Sequence, residues 1–392
     1  MVFDMCALKL CFISPYPPTV CGIADYTNCL VKGILENKPD LRIHVVAEKS
    51  ARSDDPRVIV HSVFDRRDFR PSDIINVVRD LDINVVHIQH EFGIFGADER
   101  FIELLRFLKG RGLKVVVTFH TVHSNETARF RVKGFRDVEE YNRVICSLCD
   151  HVIVHTNSMR NVLARQGVPE DKISMFRIGL FDFGIIGTEK ARRGLKLPLD
   201  RKLLVFTGFF HRGKGMHILL GLVRELSKYC RDFKLIMAGA VHPLQASREN
   251  VDYVEELKSE IKRLGIEDFV EIRHCLSRVL VTKYICAADV VLFPYLSINW
   301  SASGAIKIAI AASKPFIVTR IPKFEEVSEE ISDEIVVLPD EVERMAKIVY
   351  RLLYDDDFRS SIVERIKRYA KRITWKNIAG EHLKVYYGLI GG

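Results

Sequence analysis

The chain has 392 residues, more than one ordinary core needs and enough for two domains of typical size. Its composition, 48% hydrophobic and 28% charged, is ordinary for a soluble globular protein, and no low-complexity tract or short repeat interrupts it. The net charge of +8 is a modest excess.

The longest apolar stretches, such as Val115–Val117 and Val290–Phe293, are strand-sized and far short of a membrane span. The N-terminus carries Asp4 and a brief apolar run, without the basic start and small-residue cleavage site of a signal peptide. Nine cysteines, scattered and odd in number, argue against a secreted disulfide framework. The expectation is a cytoplasmic protein. Cys146 and Cys149 form a single C-x-x-C in a helix-like stretch and read as buried small hydrophobes.

In chain order, strand-like runs occur at Leu8–Ile13, Arg42–Val46, Val58–His61, Asn84–Ile88, Lys114–Phe119 and His151–His155. Helical periodicity fills the gaps, as in Ala24–Leu35, Ile74–Leu81, Arg100–Lys109 and Val138–Leu148. A second series follows at Lys202–Thr207, Lys234–Ala238, Phe269–Arg273, Val290–Phe293, Pro315–Thr319 and Ile335–Val337. Between them Phe181–Leu199, rich in Gly, Lys and Arg, reads as a linker. The alternation predicts α/β architecture with two Rossmann-like parallel sheets, residues 1–185 and 200–374. Ligands of such sheets bind beyond the carboxyl ends of the strands, so two edges facing each other would make an interdomain cleft the site.

Basic residues concentrate between Phe101 and Arg136, where Arg106, Lys109, Arg111, Lys114, Arg129, Arg131, Lys133 and Arg136 face only Glu103 and Glu126. No aromatic-basic interleaving or reader motif accompanies them, so no nucleic-acid partner is expected. An anionic lipid surface, giving peripheral contact with the inner membrane face, or a phosphate-bearing substrate fits better. The bland alternative is a solvated basic face.

Several segments, taken in order, resemble family 4 of the retaining GT-B glycosyltransferases. Ser14–Tyr26 is similar to that family's P-P-x-x-G-G-I loop, with Cys21 where a glycine is usual. Val86-His87-Ile88-Gln89-His90-Glu91-Phe92-Gly93-Ile94-Phe95-Gly96 resembles a segment of a mannosyltransferase subset. Thr118-Phe119-His120-Thr121 follows a strand, as the family's active-site histidine does, and Gly208–Gly215 resembles the basic G-x-x-x-x-x-K-G loop. Ala287–Tyr295, Ser301–Ala305 and Ser313–Pro315 continue the series. Thr374–Ala379 resembles the family's last helix, which implies that residues 375–392 cross back to complete the first, acceptor-binding domain.

The candidate site residues follow from this order. Gly22 opens a helix after a strand, where free amides and the helix dipole suit a diphosphate. Lys214, bracketed by glycines, is placed to stabilise charge on a departing diphosphate. The arginine expected beside Gly208 is absent, Phe209 standing there, so Arg212 or protonated His211 is the expected substitute. His120 is expected beside the donor sugar, touching it through its imidazole or its backbone carbonyl. His90 and Glu91, ending the preceding strand, are expected to read acceptor or donor. Ser301, Ser303, Gly304 and Ala305 form a second phosphate cradle candidate, with a plain helix N-cap as the bland reading. The two glutamates typical of the family fall at Trp300 and Ile308, and neither is acidic; Lys307 is adjacent but accepts no hydrogen bond.

Metal is not expected. His87 and His90 point to opposite faces of a strand, His120 and His123 lack a helpful carboxylate, and the D-x-D of Asp80 and Asp82 lies at a helix-to-strand junction. The leading expectation is therefore a retaining, metal-independent glycosyltransferase without a cofactor. It would move a hexose from a nucleotide sugar, GDP-mannose by resemblance, to a glycan or lipid-linked acceptor. The alternatives are a non-catalytic binding or scaffold protein on the same fold, favoured by the lost glutamates, and a nucleotide-sugar epimerase.

Overall fold

Runs of Val, Ile and Leu without polar alternation mark strands covered on both faces, and the fold realises them as two parallel sheets. The computed structural model describes residues 7–241, 248–275, 277–296 and 300–391; Asp4, part of the N-terminal reading above, lies outside them. The chain divides into two compact units. One comprises Met1–Gly179, Asn299–Ala302 and Ile373–Gly392, and the other Leu180–Ile298 and Ser303–Arg372.

The first unit opens with β1 (Leu10–Ile13), α1 (Gly22–Asn37), β2 (Ile43–Glu48), β3 (Val58–Phe64), α2 (Pro71–Asp80) and β4 (Val85–His90). It continues with α3 (Phe92–Phe95), α4 (Glu99–Gly110), β5 (Lys114–Phe119), β6 (Thr121–Val122), α5 (Val138–Leu148), β7 (His151–Val154), α6 (Asn157–Arg165) and β8 (Ile173–Met175). Seven strands form a sheet in the order β3-β2-β1-β4-β5-β7-β8, every pair parallel. Helices start where side chains take orphan amides: Asp98 accepts from Arg100 N, Asp137 from Glu140 N and Thr156 from Met159 N. On one face of the sheet Val86, Ile88, Val115 and Val117 join Ile74, Leu104, Leu105 and Leu108 of the helices in the core.

The second unit carries α7 (Thr188–Leu195), β9 (Lys202–Phe209), α8 (Met216–Leu226), β10 (Phe233–Ala240), α9 (Arg248–Leu264), β11 (Val270–His274), α10 (Arg278–Ala287) and β12 (Val290–Phe293). The two-residue β13 (Trp300–Ser301) belongs to the first unit, where it pairs antiparallel with β6. Then come α11 (Gly304–Ala311), β14 (Phe316–Thr319), α12 (Glu325–Glu330), β15 (Val336–Val337), α13 (Val342–Tyr354) and α14 (Asp356–Arg372). The second sheet runs β11-β10-β9-β12-β14-β15, again parallel.

The last helix, α15 (Trp375–Gly391), lies in the first unit against α1. Glycine at 33 makes that approach possible, because a Cβ there would sit 2.4 Å from the Trp375 carbonyl oxygen. The stretch Phe181–Leu199 is not the plain linker its composition suggested. It holds α7, and Arg192 is buried there, donating to Asp289 at 2.6 Å and to the Ala287 carbonyl at 2.9 Å. A charged sequence reads as exposed chain until its counterion is known.

Candidate active site

In the second sheet the strand order reverses between β9 and β12, and the loops leaving their carboxyl ends line the crevice where such sheets bind ligands. Those two loops are laced together. Gly215 adopts φ 67° at the start of α8, a Cβ there would meet the Pro294 oxygen at 1.8 Å, and Leu296 N donates to Gly213 O at 2.9 Å. The lacing sets Lys214 Nζ 3.6 Å from the ring centroid of Tyr295. Desolvation, with the nearby positive charge of Lys323, pulls the Lys214 ammonium down to about 7. Tyr295 is 2% exposed, and its hydroxyl has no hydrogen-bond partner among the described residues.

The other two basic groups of this loop do not act as expected. Arg212 turns onto α9, where it forms an exposed ion pair with Glu256 and lies over Tyr253, so its charge is directed away from Lys214. His211 is held down to about 4 by burial and by the charges of Lys214 and Lys323, so it is a neutral imidazole at pH 7. As placed, neither adds a positive charge beside Lys214. Lys323 follows β14, in a turn that no glycine-bracketed motif marks in the sequence.

In the first sheet the order reverses between β1 and β4. Gly22 is the first residue of α1, exposed, and a Cβ there would meet nothing within 4 Å. Cys21 is the N-cap and makes no side-chain cap bond, while the buried Asp25 sits in the first turn. Glu91 caps α3, accepting from Phe92 N at 3.1 Å, and its second oxygen accepts the Thr121 hydroxyl at 2.7 Å. That explains its place without a substrate.

His90 is corrected outright. It is fully buried, with ring centroids of Phe92, Phe101 and Phe119 each within 4.9 Å, and neither nitrogen has a partner among the described residues. Burial drops it to about 3, so it is a neutral core side chain and cannot read a ligand. The alternation that set His87 and His90 on opposite faces put His90 on the helix-packed apolar side.

His87 lies on the other face, in a polar chain. His87 Nδ1 meets Tyr386 OH at 2.6 Å, His87 Nε2 meets Thr118 Oγ1 at 2.7 Å, and Gln89 Nε2 lies 3.2 Å from His87 Nε2. Gln89 Oε1 lies 2.9 Å from His120 Nε2, and His120 Nδ1 lies 3.3 Å from His155 Nε2. Both imidazole nitrogens of His120 are thus engaged inside the unit. Burial first, then the neighbouring imidazoles, hold His120 well below the ordinary histidine value. What remains to meet a sugar is its backbone carbonyl or a ring edge.

The second cradle is split. Ser301 pairs with Thr121 in β13, whereas Ser303 is the N-cap of α11 and makes no side-chain cap bond. Gly304 and Ala305 form the first turn, and a Cβ on Gly304 would touch only Phe181 at 3.4 Å. Ile308 is 6% exposed in α11, and the adjacent Lys307 is buried in an ion pair with Glu326, which also accepts from Tyr369 at 2.6 Å. Trp300 and Ile308 therefore present no acidic group.

Among the described residues no group of three or more His, Cys, Asp or Glu could hold a metal ion. Asp82 is exposed and paired with Lys9 at 2.6 Å, at the amino end of β4, opposite the ligand edge. The Cys146 and Cys149 thiols are buried and pushed up, Cys149 to about 12, which fits inert packing. In the basic stretch, Lys109, Arg106 and Arg136 find partners in Asp150, Glu99 and Asp137. Arg129, Arg131 and Lys133 are exposed around Phe130. No helix among the described residues is long and apolar enough to cross a membrane.

Residues 26–179 match the model of Glycosyltransferase Family 4, and residues 201–355 match that of Glycosyl transferases group 1. A D-inositol 3-phosphate glycosyltransferase of Corynebacterium urealyticum is 30% identical over 52% of this chain, which spans only 46% of that relative. An uncharacterized glycosyltransferase of Methanocaldococcus jannaschii is 24% identical over 95% of each chain. Among solved structures, Anabaena HepE in complex with UDP is similar with a TM-score of 0.71 at 16% identity, over 96% of this chain and 99% of that one. HepE has also been solved with UDP-glucose. The two Rossmann-like sheets are those of the GT-B fold.

Proposed function

We propose that this chain, a glycosyltransferase of GT-B type with a family 4 domain and a group 1 domain, moves a hexosyl group from a nucleoside-diphosphate sugar with retention and without a metal ion. The observation that carries the reading is Lys214, fixed at the β9–β12 switch point over Tyr295. A cation held in a desolvated crevice stabilises the charge that develops on a departing diphosphate, the work a metal ion does elsewhere. The leaving phosphate then takes the acceptor's proton, so no carboxylate pair is needed. His120 serves as a neutral positioning group for the sugar, presenting its carbonyl.

GDP-mannose is the first donor to try, on the resemblance of His87–Gly96 to a mannosyltransferase segment. UDP-glucose is the second, because HepE binds it. A lipid-linked or glycan acceptor fits the exposed Arg129, Arg131 and Lys133, which would meet phosphate or an anionic bilayer. Calorimetry with GDP, UDP and ADP and with their sugar conjugates tests the donor, and the anomeric configuration of the product tests retention. The second reading, a scaffold, is favoured by the apolar Trp300 and Ile308. Absence of nucleotide binding at millimolar concentration would overturn the first reading and favour this one.

A further inference from the structure

We propose that Lys323 is the second cation of the diphosphate site, closing with Lys214 around Tyr295 to form a two-lysine clamp. The inference rests on the donor reading above. A diphosphate brings at least two negative charges, and Lys214 answers one. Its loop neighbours add no charge beside it, since Arg212 is turned onto Glu256 of α9 and His211 is neutral.

The sheet order selects Lys323. β9, β12 and β14 are adjacent, so the segments beyond their carboxyl ends lie side by side. The first carries Lys214, the second Tyr295 and the third a one-turn 3-10 helix, Pro322–Phe324. Phe324 packs on Tyr295 with ring centroids 5.2 Å apart, while Lys214 covers the same ring. Lys323, next to Phe324, lies near enough to lower both His211 and Lys214. Tyr295 itself is buried, and its hydroxyl has no hydrogen-bond partner among the described residues. Holding like charges together is unfavourable in the empty site and becomes favourable once an anion sits with them, which ties the cluster to a polyanionic ligand.

The test is calorimetric titration of GDP, UDP, the matching monophosphates and inorganic pyrophosphate into the wild type and the Lys323→Ala, Lys323→Arg and Lys214→Ala variants. Lys323→Ala should lose about 10- to 30-fold affinity for the diphosphates and pyrophosphate and about threefold or less for the monophosphates, with Lys323→Arg restoring most of it. In Lys323→Ala the pH above which diphosphate affinity declines should also move upward, because Lys214 no longer feels a like charge. Lys323→Gln replaces the alanine variant if melting shows the latter unfolded. Unchanged diphosphate binding in a folded Lys323 variant, with loss in Lys214→Ala, would overturn the clamp and leave the donor reading standing. Failure of the wild type to bind any nucleotide or pyrophosphate would overturn both.

Discussion

His155 Nε2 stands 3.3 Å from His120 Nδ1, and His155 Nδ1 lies 3.0 Å from the carbonyl of Phe176. A carbonyl only accepts, so the proton of a neutral His155 sits on Nδ1 and its Nε2 accepts from His120. His120 Nε2 is then an acceptor as well, and its partner must be the amide N–H₂ of Gln89. That assignment reverses the Gln89 side chain as placed and lets His87 donate to the Gln89 oxygen and Thr118 while accepting from Tyr386. One carbonyl fixes every proton along the chain.

Acid should unfold the first unit through these rings. The folded values of His87, His90, His120 and His382 all lie below that of an unfolded histidine, with His90 at about 3 and His382 at about 4. Stability is therefore complete above about pH 6.5 and declines as pH falls toward the folded values, because the unfolded chain takes up protons first. His90→Leu removes one such group along with two nitrogens that have no partner among the described residues, so it should flatten the acid limb and raise the melting temperature with activity retained. Lower stability would show that the buried imidazole has partners in solution, and lost turnover in a stably folded His90→Leu would return His90 to a functional role.

Lys214→Ala should reduce turnover on the order of 100-fold, the scale of one lost charge stabiliser in an enclosed site. In the wild type, diphosphate affinity should fall as pH rises through about 7, since the neutral amine attracts no anion. A flat pH dependence between 6 and 8 would remove the Lys214 ammonium from the site.

Exhaustive EDTA treatment should leave transfer intact, and Asp80→Ala with Asp82→Ala should have no effect. Among the described residues there is no metal-ligand cluster, and Asp82 belongs to Lys9 at the wrong edge of the sheet. Loss restored by Mg²⁺ or Mn²⁺ would show that the substrate brings a required ion.

Gly33→Ala should cost about 1–3 kcal/mol, because the added methyl meets backbone rather than a flexible side chain. Equal thermal midpoints would mean that α1 and α15 do not pack this closely in solution.

The parallel strands were legible because a strand buried on both faces must be mostly apolar: Lys114–Phe119 and Val290–Phe293 fall where the sequence puts them. β6, β8 and β13, of two or three residues, carry too little pattern to be seen. The tight turn that holds Lys214 was legible from its bracketing glycines. What Arg212 does was not, because its partner Glu256 lies 44 positions away on another helix. Lys323 joins the picture only once β14 is known to neighbour β12. For the strand-end histidines, alternation separates two faces without telling which one is packed by phenylalanines.

Because α15 lies on α1, the first unit is discontinuous in sequence, and its interior is completed by residues nearly a whole chain length away. On the ribosome, residues up to Gly179 emerge with Tyr26 and His87 still lacking His382 and Tyr386, their partners in the finished unit. The second unit is almost entirely encoded before α15 appears and can collapse inside that open loop. Synthesis order thus makes the first half of the polypeptide the last to be finished, the window in which a nascent chain depends most on chaperones.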